Sequence, residues 1–415
     1  MIFENTKDIF KDFKNVELKS PIFGLLLVVI VLPFKMILSS IAVFIYTFLI
    51  IINSKTIRFS DAMRERKVVL IPLIYFMFIL FGIFYSPSLT QGFSRITTQL
   101  GLFIFPVLIT LSSFKLFHID LLKKIFLYSV IVFCCFSIIT LLINLIIHFD
   151  QKHHYNFIQR SMYHFHFPYD CLYINFSYVL LLFGPYHKLF KKIISILFFI
   201  VITLFGVRMG MFSFLIISVF YISVNYKKTL NIKNLLFISL LVGMSFLLLK
   251  TSKYASDKFY DTLENIGFNV ENQVSDIGKK YHKIEIRKVI WASSVELIKE
   301  KPIFGYGTAN HQEILNDIYT KKGCTKCMNK NSHNQYLTTS LNHGLLGLAA
   351  LILIFVISVT IAIKLKSSEF ALFLLLILIS SLTESILLRQ KGIMFFSIFL
   401  SIFLTEYTLK RSRFI

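Results

Sequence analysis

Apolar runs of near-membrane length follow one another along most of this chain with few polar residues between them, and this limits what it can fold into. A helix needs about 20 apolar residues to cross ~30 Å of hydrocarbon. Twelve stretches are candidates in whole or in part, at roughly 21–34, 36–53, 68–86, 95–114, 121–149, 170–184, 190–205, 208–224, 234–250, 337–363, 369–384 and 391–407. The runs are continuous, whereas barrel strands would alternate apolar and polar over about ten residues, so helices are predicted. With 56% hydrophobic residues, 16% charged and 46 Phe in 415, the composition is outside that of a water-soluble globular protein. The expectation is an all-α, polytopic integral membrane protein of about twelve transmembrane helices. It would have an N-terminal membrane domain of about nine spans (1–250), one large extracytoplasmic loop with an amphipathic helix (251–336) and a C-terminal membrane segment of about three spans (337–415).

Lysine and arginine set the orientation, because short cytoplasmic loops accumulate them. One side, with both termini and the connections at 54–67, 115–124, 185–192, 225–234 and 364–368, holds 23 basic residues. The short loops of the other side hold seven: Lys35, Arg95, Lys152, Arg160, Arg208, Arg389 and Lys391. Both termini are therefore expected in the cytoplasm and the 251–336 loop outside it. The first twenty residues alternate Lys7, Lys11, Lys14 and Lys19 with Glu4, Asp8, Asp12 and Glu17, unlike a removable signal peptide. A formal charge of +22 is accounted for by anchoring against anionic lipid headgroups, and no nucleic acid partner is expected.

Cysteine usage divides in the same way. Cys134, Cys135 and Cys171 fall in spans or at their edges, where a thiol packs as a small apolar group. Cys324 and Cys327 lie in the outward loop, where an oxidising compartment permits a disulfide and free thiols are the alternative. Zinc would need two further ligands at suitable spacing, and His333 alone does not supply them, so no metal is expected. The connection at 150–170 gathers His153, His154, Tyr155, Phe157, Tyr163, His164, Phe165, His166 and Phe167, either an interfacial aromatic belt or a lid or sugar-stacking surface.

Polar chemistry concentrates between Ile286 and Gly347. Glu285–Lys299 reads as an amphipathic helix with Ile286, Val289, Ile290, Val295, Leu297 and Ile298 as its stripe and Lys288, Glu296 and Lys299 facing away. Arg287, Trp291 and Ser294 line one edge of it. Such a helix suits the outer leaflet, with Trp291 as anchor and Arg287 at the level of lipid phosphates. Pro302 closes the helix and Gly305-Tyr306-Gly307 makes a turn. His333-Asn334 then stands just before the tenth span, which carries Gly344-Leu345-Leu346-Gly347. Earlier in the chain, Arg208 sits at the tip of a hairpin between two spans, in Gly206-Val207-Arg208-Met209-Gly210. It is either an interfacial guanidinium or a functional one. Arg is suited to phosphate, whose oxygens its planar fork binds bidentately, and His is the usual base for a hydroxyl. Asn334 is either an N-cap or a residue that orients the imidazole or the acceptor sugar. Glu384 and Arg389 flank the last outward loop as an expected ion pair or donor contact. His282, His311 and His343 are expected as surface or packing residues.

Arg208 after a tight turn, Arg287 with Trp291, the Pro302–Gly307 turn, and His333-Asn334 followed by Gly344 and Gly347 together resemble the O-antigen ligase family, which also includes O-antigen polymerases and protein O-oligosaccharyltransferases. The resemblance implies a GT-C-like glycosyltransferase architecture in the bacterial inner membrane with the active site facing the periplasm. It implies metal-independent, inverting transfer without cofactors from an undecaprenyl-diphosphate-linked glycan donor to a sugar hydroxyl of lipid A core, or to a lipid-linked glycan acceptor in a polymerase. By the same resemblance His333 matches the essential histidine and Arg208 and Arg287 the diphosphate-binding arginines, with Asn334, Trp291, Gly344 and Gly347 in support. The Cys324 and Cys327 pair is no part of the family pattern. A polysaccharide or lipid transporter or flippase is the alternative from another class; it would place charge or broken helices near the membrane midplane.

Overall fold

A computed structural model describes residues 16–53, 65–86, 88–148, 161–164, 166–225, 283–309 and 311–412. The expected span at 234–250, the first part of the outward loop with His282, and most of the aromatic loop at 150–170 lie outside them. The described residues are mostly helical and contain no strand. In chain order the helices are α1 (Pro21–Val31), α2 (Met36–Ile52), α3 (Pro72–Phe81), α4 (Leu89–Gln99), α5 (Gly101–Leu111), α6 (Leu116–Ile147) and α7 (Phe167–Phe183). They continue with α8 (Lys188–Phe205), α9 (Arg208–Val224), α10 (Lys283–Glu300), α11 (His311–Lys321), α12 (Gln335–Leu365), α13 (Ser368–Ser381) and α14 (Gln390–Arg411).

Among the described residues, four helical stretches are long and apolar enough to cross a membrane: Leu89–Leu111, which joins α4 and α5, then α6, α12 and α14. Shorter apolar helices of 10–17 residues are also present, among them α1, α2, α7, α9 and α13. Their apolar surfaces divide between protein and hydrocarbon. On α2, Ala42, Tyr46 and Ile50 are buried while Ile41, Phe44, Phe48 and Ile51 are exposed; on α6, Val132, Phe136, Ile139, Leu142, Ile143 and Ile146 are exposed. Apolar faces of this extent are stable only against lipid, and helices meet the demand that every backbone group be bonded internally. The protein is a polytopic helical membrane protein.

The chain forms two compact units, one within Met1–Asn15, Val29–Ser39 and Leu121–Val274, the other within Val16–Val28, Ser40–Asp120 and Ser275–Ile415. In the first, α7 is the core helix, buried continuously from Tyr169 to Leu182. It packs on α8 and α9. Tyr178 stacks on Phe214 at 4.0 Å between ring centroids, and Asn175 Nδ2 donates to the carbonyls of Cys171 and Gly210 at 2.9 and 3.0 Å. A Cβ at Gly210 would lie 2.9 Å from that of Cys171, so glycine sets how closely α7 and α9 approach.

In the second unit α14 is the core helix, buried from Lys391 to Glu406. It packs on α5, where Ser397 Oγ donates to the Gly101 carbonyl at 2.9 Å. Its polar neighbours are satisfied by long-range bonds: Gln99 Nε2 donates to Leu387 O at 2.9 Å and Leu387 N to Gln335 Oε1 at 2.7 Å. Buried polar atoms so paired fix register as well as energy. Outside the spans, α10 and α11 build a separate small core of Ile286, Ile290, Leu297, Leu315, Ile318, Tyr319, Cys324 and Cys327, to which Leu341 of α12 also contributes. The apolar stripe of α10 is thus spent on protein, with one exception: Val295 is exposed. That corrects the expectation of a helix lying with its stripe on the lipid.

Candidate functional site

His333 is built into a short strained segment between the small core and α12. Its φ of +44° is in the left-handed region, which costs a β-carbon residue on the order of 1 kcal/mol. Local bonds hold it there. The His333 amide donates to Asn331 Oδ1 at 3.0 Å, Trp291 Nε1 donates to the Ser332 carbonyl at 2.9 Å, and Ser332 Oγ donates to the Asn334 carbonyl at 3.0 Å. Asn334 is the N-cap of α12: its Oδ1 accepts from Tyr336 N at 2.9 Å and Leu337 N at 3.1 Å, while Nδ2 donates to the Leu382 carbonyl at 3.3 Å. Between its two sequence roles, the cap is the one the structure displays, and it ties the start of α12 to the end of α13.

Two glycine motifs that are 37 residues apart prove to be one structure. Helix α12 is interrupted at Gly344, whose φ of +64° and ψ of −164° only glycine adopts readily. The break frees backbone groups, and the Pro302–Gly307 turn takes them up. Tyr306 N donates to Leu341 O and Gly307 N to Asn342 O, both at 2.8 Å, while Leu345 N donates to Pro302 O at 2.7 Å. A Cβ on Gly344 would stand 2.0 Å from the Ile303 carbonyl oxygen, and one on Gly305 2.5 Å from that of Leu341. Gly347 lies one turn on, where a Cβ would meet the Cβ of His343 at 2.3 Å. The turn is pinned on its other side by Thr308 N donating to the Gly82 carbonyl at 3.2 Å and Tyr85 OH donating to that of Phe304 at 2.8 Å. The span expected at 337–363 is therefore a broken helix whose first nine residues, Gln335 to His343, include five polar and one histidine side chain that are buried in protein.

Helix α10 carries Arg287 and Trp291 one turn apart, about 6 Å along its axis. Since the Trp291 indole bonds the residue before His333, the same contact that holds the histidine loop also orients the helix that bears Arg287. Arg287 is exposed, and so is Trp291 at 38%. Ser294, on the same edge, is buried with its hydroxyl donating to the Ile290 carbonyl at 2.8 Å. Cys324 and Cys327 are joined as a disulfide beneath α11, with Cα atoms 5.3 Å apart. Glu300 accepts from Tyr306 OH at 2.5 Å; burial first, then this carboxylate, push the phenol well above its ordinary range. Arg208 belongs to the first unit. It is the exposed first residue of α9, after Gly206 in the left-handed region at φ +64°.

Three residues gain a place that sequence reasoning had not given them. Glu384, whose expected partner was Arg389, is 8% exposed and sets Oε2 3.4 Å from His333 Nδ1. Lys391, counted among the loop cations, is 1% exposed in the first turn of α14. Ser385 Oγ meets Thr338 Oγ1 at 2.8 Å, which ties the chain after Glu384 to the first turn of α12. The sequence signal for this ensemble was the polar run from Gln335 to His343 at the start of an apolar helix, since lipid does not solvate such a face.

Comparison with known proteins places the O-antigen ligase family model on residues 193–352. Arg208, Arg287, Trp291, His333, Asn334, Gly344 and Gly347 all fall within it. An uncharacterized protein of Haemophilus influenzae is 28% identical over 145 residues, 34% of this chain and 35% of the relative. The match thus spans about a third of that relative's length.

Proposed function

We propose that this membrane protein is a glycosyltransferase of the O-antigen ligase type, which moves a glycan from undecaprenyl diphosphate to a sugar hydroxyl of lipid A core on the periplasmic face. The observation that carries the reading is His333. Within the stretch matched by the family, its imidazole is one-third exposed, fixed by its own backbone bonds and by Trp291, and the helix bearing Trp291 also presents Arg287. In this reading His333 is the general base. The acceptor oxygen attacks the anomeric carbon as its proton passes to the imidazole, and the bond from that carbon to the diphosphate oxygen breaks with inversion. The family resemblance gives Arg208 and Arg287 the role of binding the leaving diphosphate, whose oxygens suit the planar guanidinium fork. A second acidic catalyst is unnecessary, because the leaving group departs as an anion already.

Deleting the gene and examining the surface glycan tests the assignment. Loss of all glycan from lipid A core is the expected result; a single repeat unit left attached would make the protein a polymerase, and unchanged glycan would remove it from this chemistry. His333→Ala and Arg287→Ala should each lower transfer by about 10²–10⁴-fold, with membrane insertion intact by detergent extraction and size exclusion. Normal activity in either variant would take that residue out of the mechanism.

A further inference from the structure

Glu384 is the carboxylate that the proposed transfer leaves unused. It comes from a different element than His333, 51 residues along the chain, and its Oε2 lies 3.4 Å from His333 Nδ1. Its side chain is 11% exposed against 33% for the imidazole, so the carboxylate is the more deeply buried of the two. Both partners stand on fixed backbone. The Glu384 amide donates to the Ser380 carbonyl at 2.9 Å, and the residue after it bonds Thr338 through its hydroxyl. The Asn334 side chain bonds Leu382 O, which closes the frame between the histidine segment and the end of α13.

We infer that Glu384 is a positioning residue for His333: its carboxylate accepts the Nδ1–H and thereby fixes the ring in the tautomer whose Nε2 carries the lone pair. The inference rests on the reading of His333 as the base. Nε2 then takes the acceptor's proton. As the acceptor O–H bond breaks and the new N–H bond forms, the oxygen's electron pair goes to the anomeric carbon and the sugar–diphosphate bond releases its pair to the leaving group. The ring becomes an imidazolium beside an ionised carboxylate, which stabilises it at that moment and not before. Without the carboxylate the ring is free to hold its proton on Nε2, where it cannot act as a base.

The test reads the tautomer directly. Full-length protein in lipid nanodiscs, with ¹⁵N-histidine, is measured at about pH 8.5, well above the range in which a free imidazole titrates. The His333 signals are identified by their loss in His333→Asn. The expected wild-type spectrum has a protonated Nδ1 and a bare Nε2; a proton on Nε2 overturns the inference without any variant. Glu384→Gln keeps an acceptor oxygen and should keep the tautomer. Glu384→Leu removes it and should give a mixture of tautomers. With donor and acceptor supplied, kcat should fall by about 10- to 100-fold in the Leu variant and less in the Gln variant, with KM for the acceptor little changed. An unaltered tautomer or an unaltered kcat in Glu384→Leu overturns the inference. If wild-type protein transfers no glycan, the proposed function fails, while the spectrum still decides whether Glu384 sets the ring.

Discussion

At the scale of single residues, a histidine outside the proposed chemistry carries the clearest consequence. His311 opens α11, is 2% exposed, and its Nδ1 has no hydrogen-bond partner among the described residues. Burial first, then the charge of Arg95 and the neighbouring His343, lower its pKa to about 3. A free histidine titrates near 6.5. Between these values the unfolded chain binds a proton that the folded protein refuses, so stability rises with pH through the interval. The contribution is fully present above about pH 6.5 and is lost as pH falls toward 3, a loss on the order of a few kcal/mol. The apparent melting temperature of the solubilised protein should therefore drop between about pH 7 and 4.5, and His311→Gln should flatten that slope. An equal slope in the variant would place the acid sensitivity elsewhere. Sequence reasoning gave His311 a surface or packing role because the groups that bury and repel it, Arg95 and His343, are far from it in the chain. The catalytic histidine candidate was easier to read, since its neighbours Asn334 and Trp291 lie in the same polar stretch.

Elements add what residues cannot show singly. Pro302, Gly305 and Gly307 read as a turn and Gly344 with Gly347 as a helix feature. That each completes the other is a matter of backbone pairing between distant segments, which leaves no periodicity in a sequence. The pairing makes a sharp contrast between two glycines of equal φ. Gly323, at +64°, has nothing within 4 Å of an added Cβ, whereas Gly344, also at +64°, has the Ile303 carbonyl oxygen at 2.0 Å. Gly323→Ala should cost only the left-handed penalty, about 1 kcal/mol. Gly344→Ala must also part the turn from the helix and should cost about 3 kcal/mol or more. The expected outcome is a modest loss of apparent melting temperature for the first and little monodisperse protein on size exclusion for the second. A Gly344→Ala protein as stable as wild type would mean that the turn and the broken helix are not joined through this backbone. The same reasoning explains α10: its stripe was legible, but whether a stripe faces lipid or protein depends on a partner, here α11 and the disulfide loop, that periodicity does not name.

For the whole molecule, hydrophobic runs made the helical membrane class plain, because hydrocarbon tolerates no other continuous apolar backbone. They were less informative about individual helices. The run expected at 95–114 begins earlier as α4, whose residues from Leu89 include Thr, Gln, Ser and Arg, and passes into α5 at Leu100. Helix α6 starts at Leu116, five residues before its expected beginning, with polar residues in its first turns. In each case the helix continues into polar residues beyond the apolar stretch that marks it. Orientation rests on a separate signal, the uneven distribution of Lys and Arg, and it decides whether His333 meets lipid-linked donors on the periplasmic side or faces the cytoplasm. Two exposed lysines outside the proposed site probe it: Lys299 at the end of α10 and Lys364 at the end of α12. In a background where Cys134, Cys135 and Cys171 are replaced, Lys299→Cys should react with a membrane-impermeant maleimide on cells whose outer membrane alone is opened. Lys364→Cys should react only after the inner membrane is breached as well. The reverse pattern would turn the protein over, put His333 and Arg287 on the side opposite to the proposed donor and acceptor, and leave the transporter class as the better account of a broken helix lined with polar side chains.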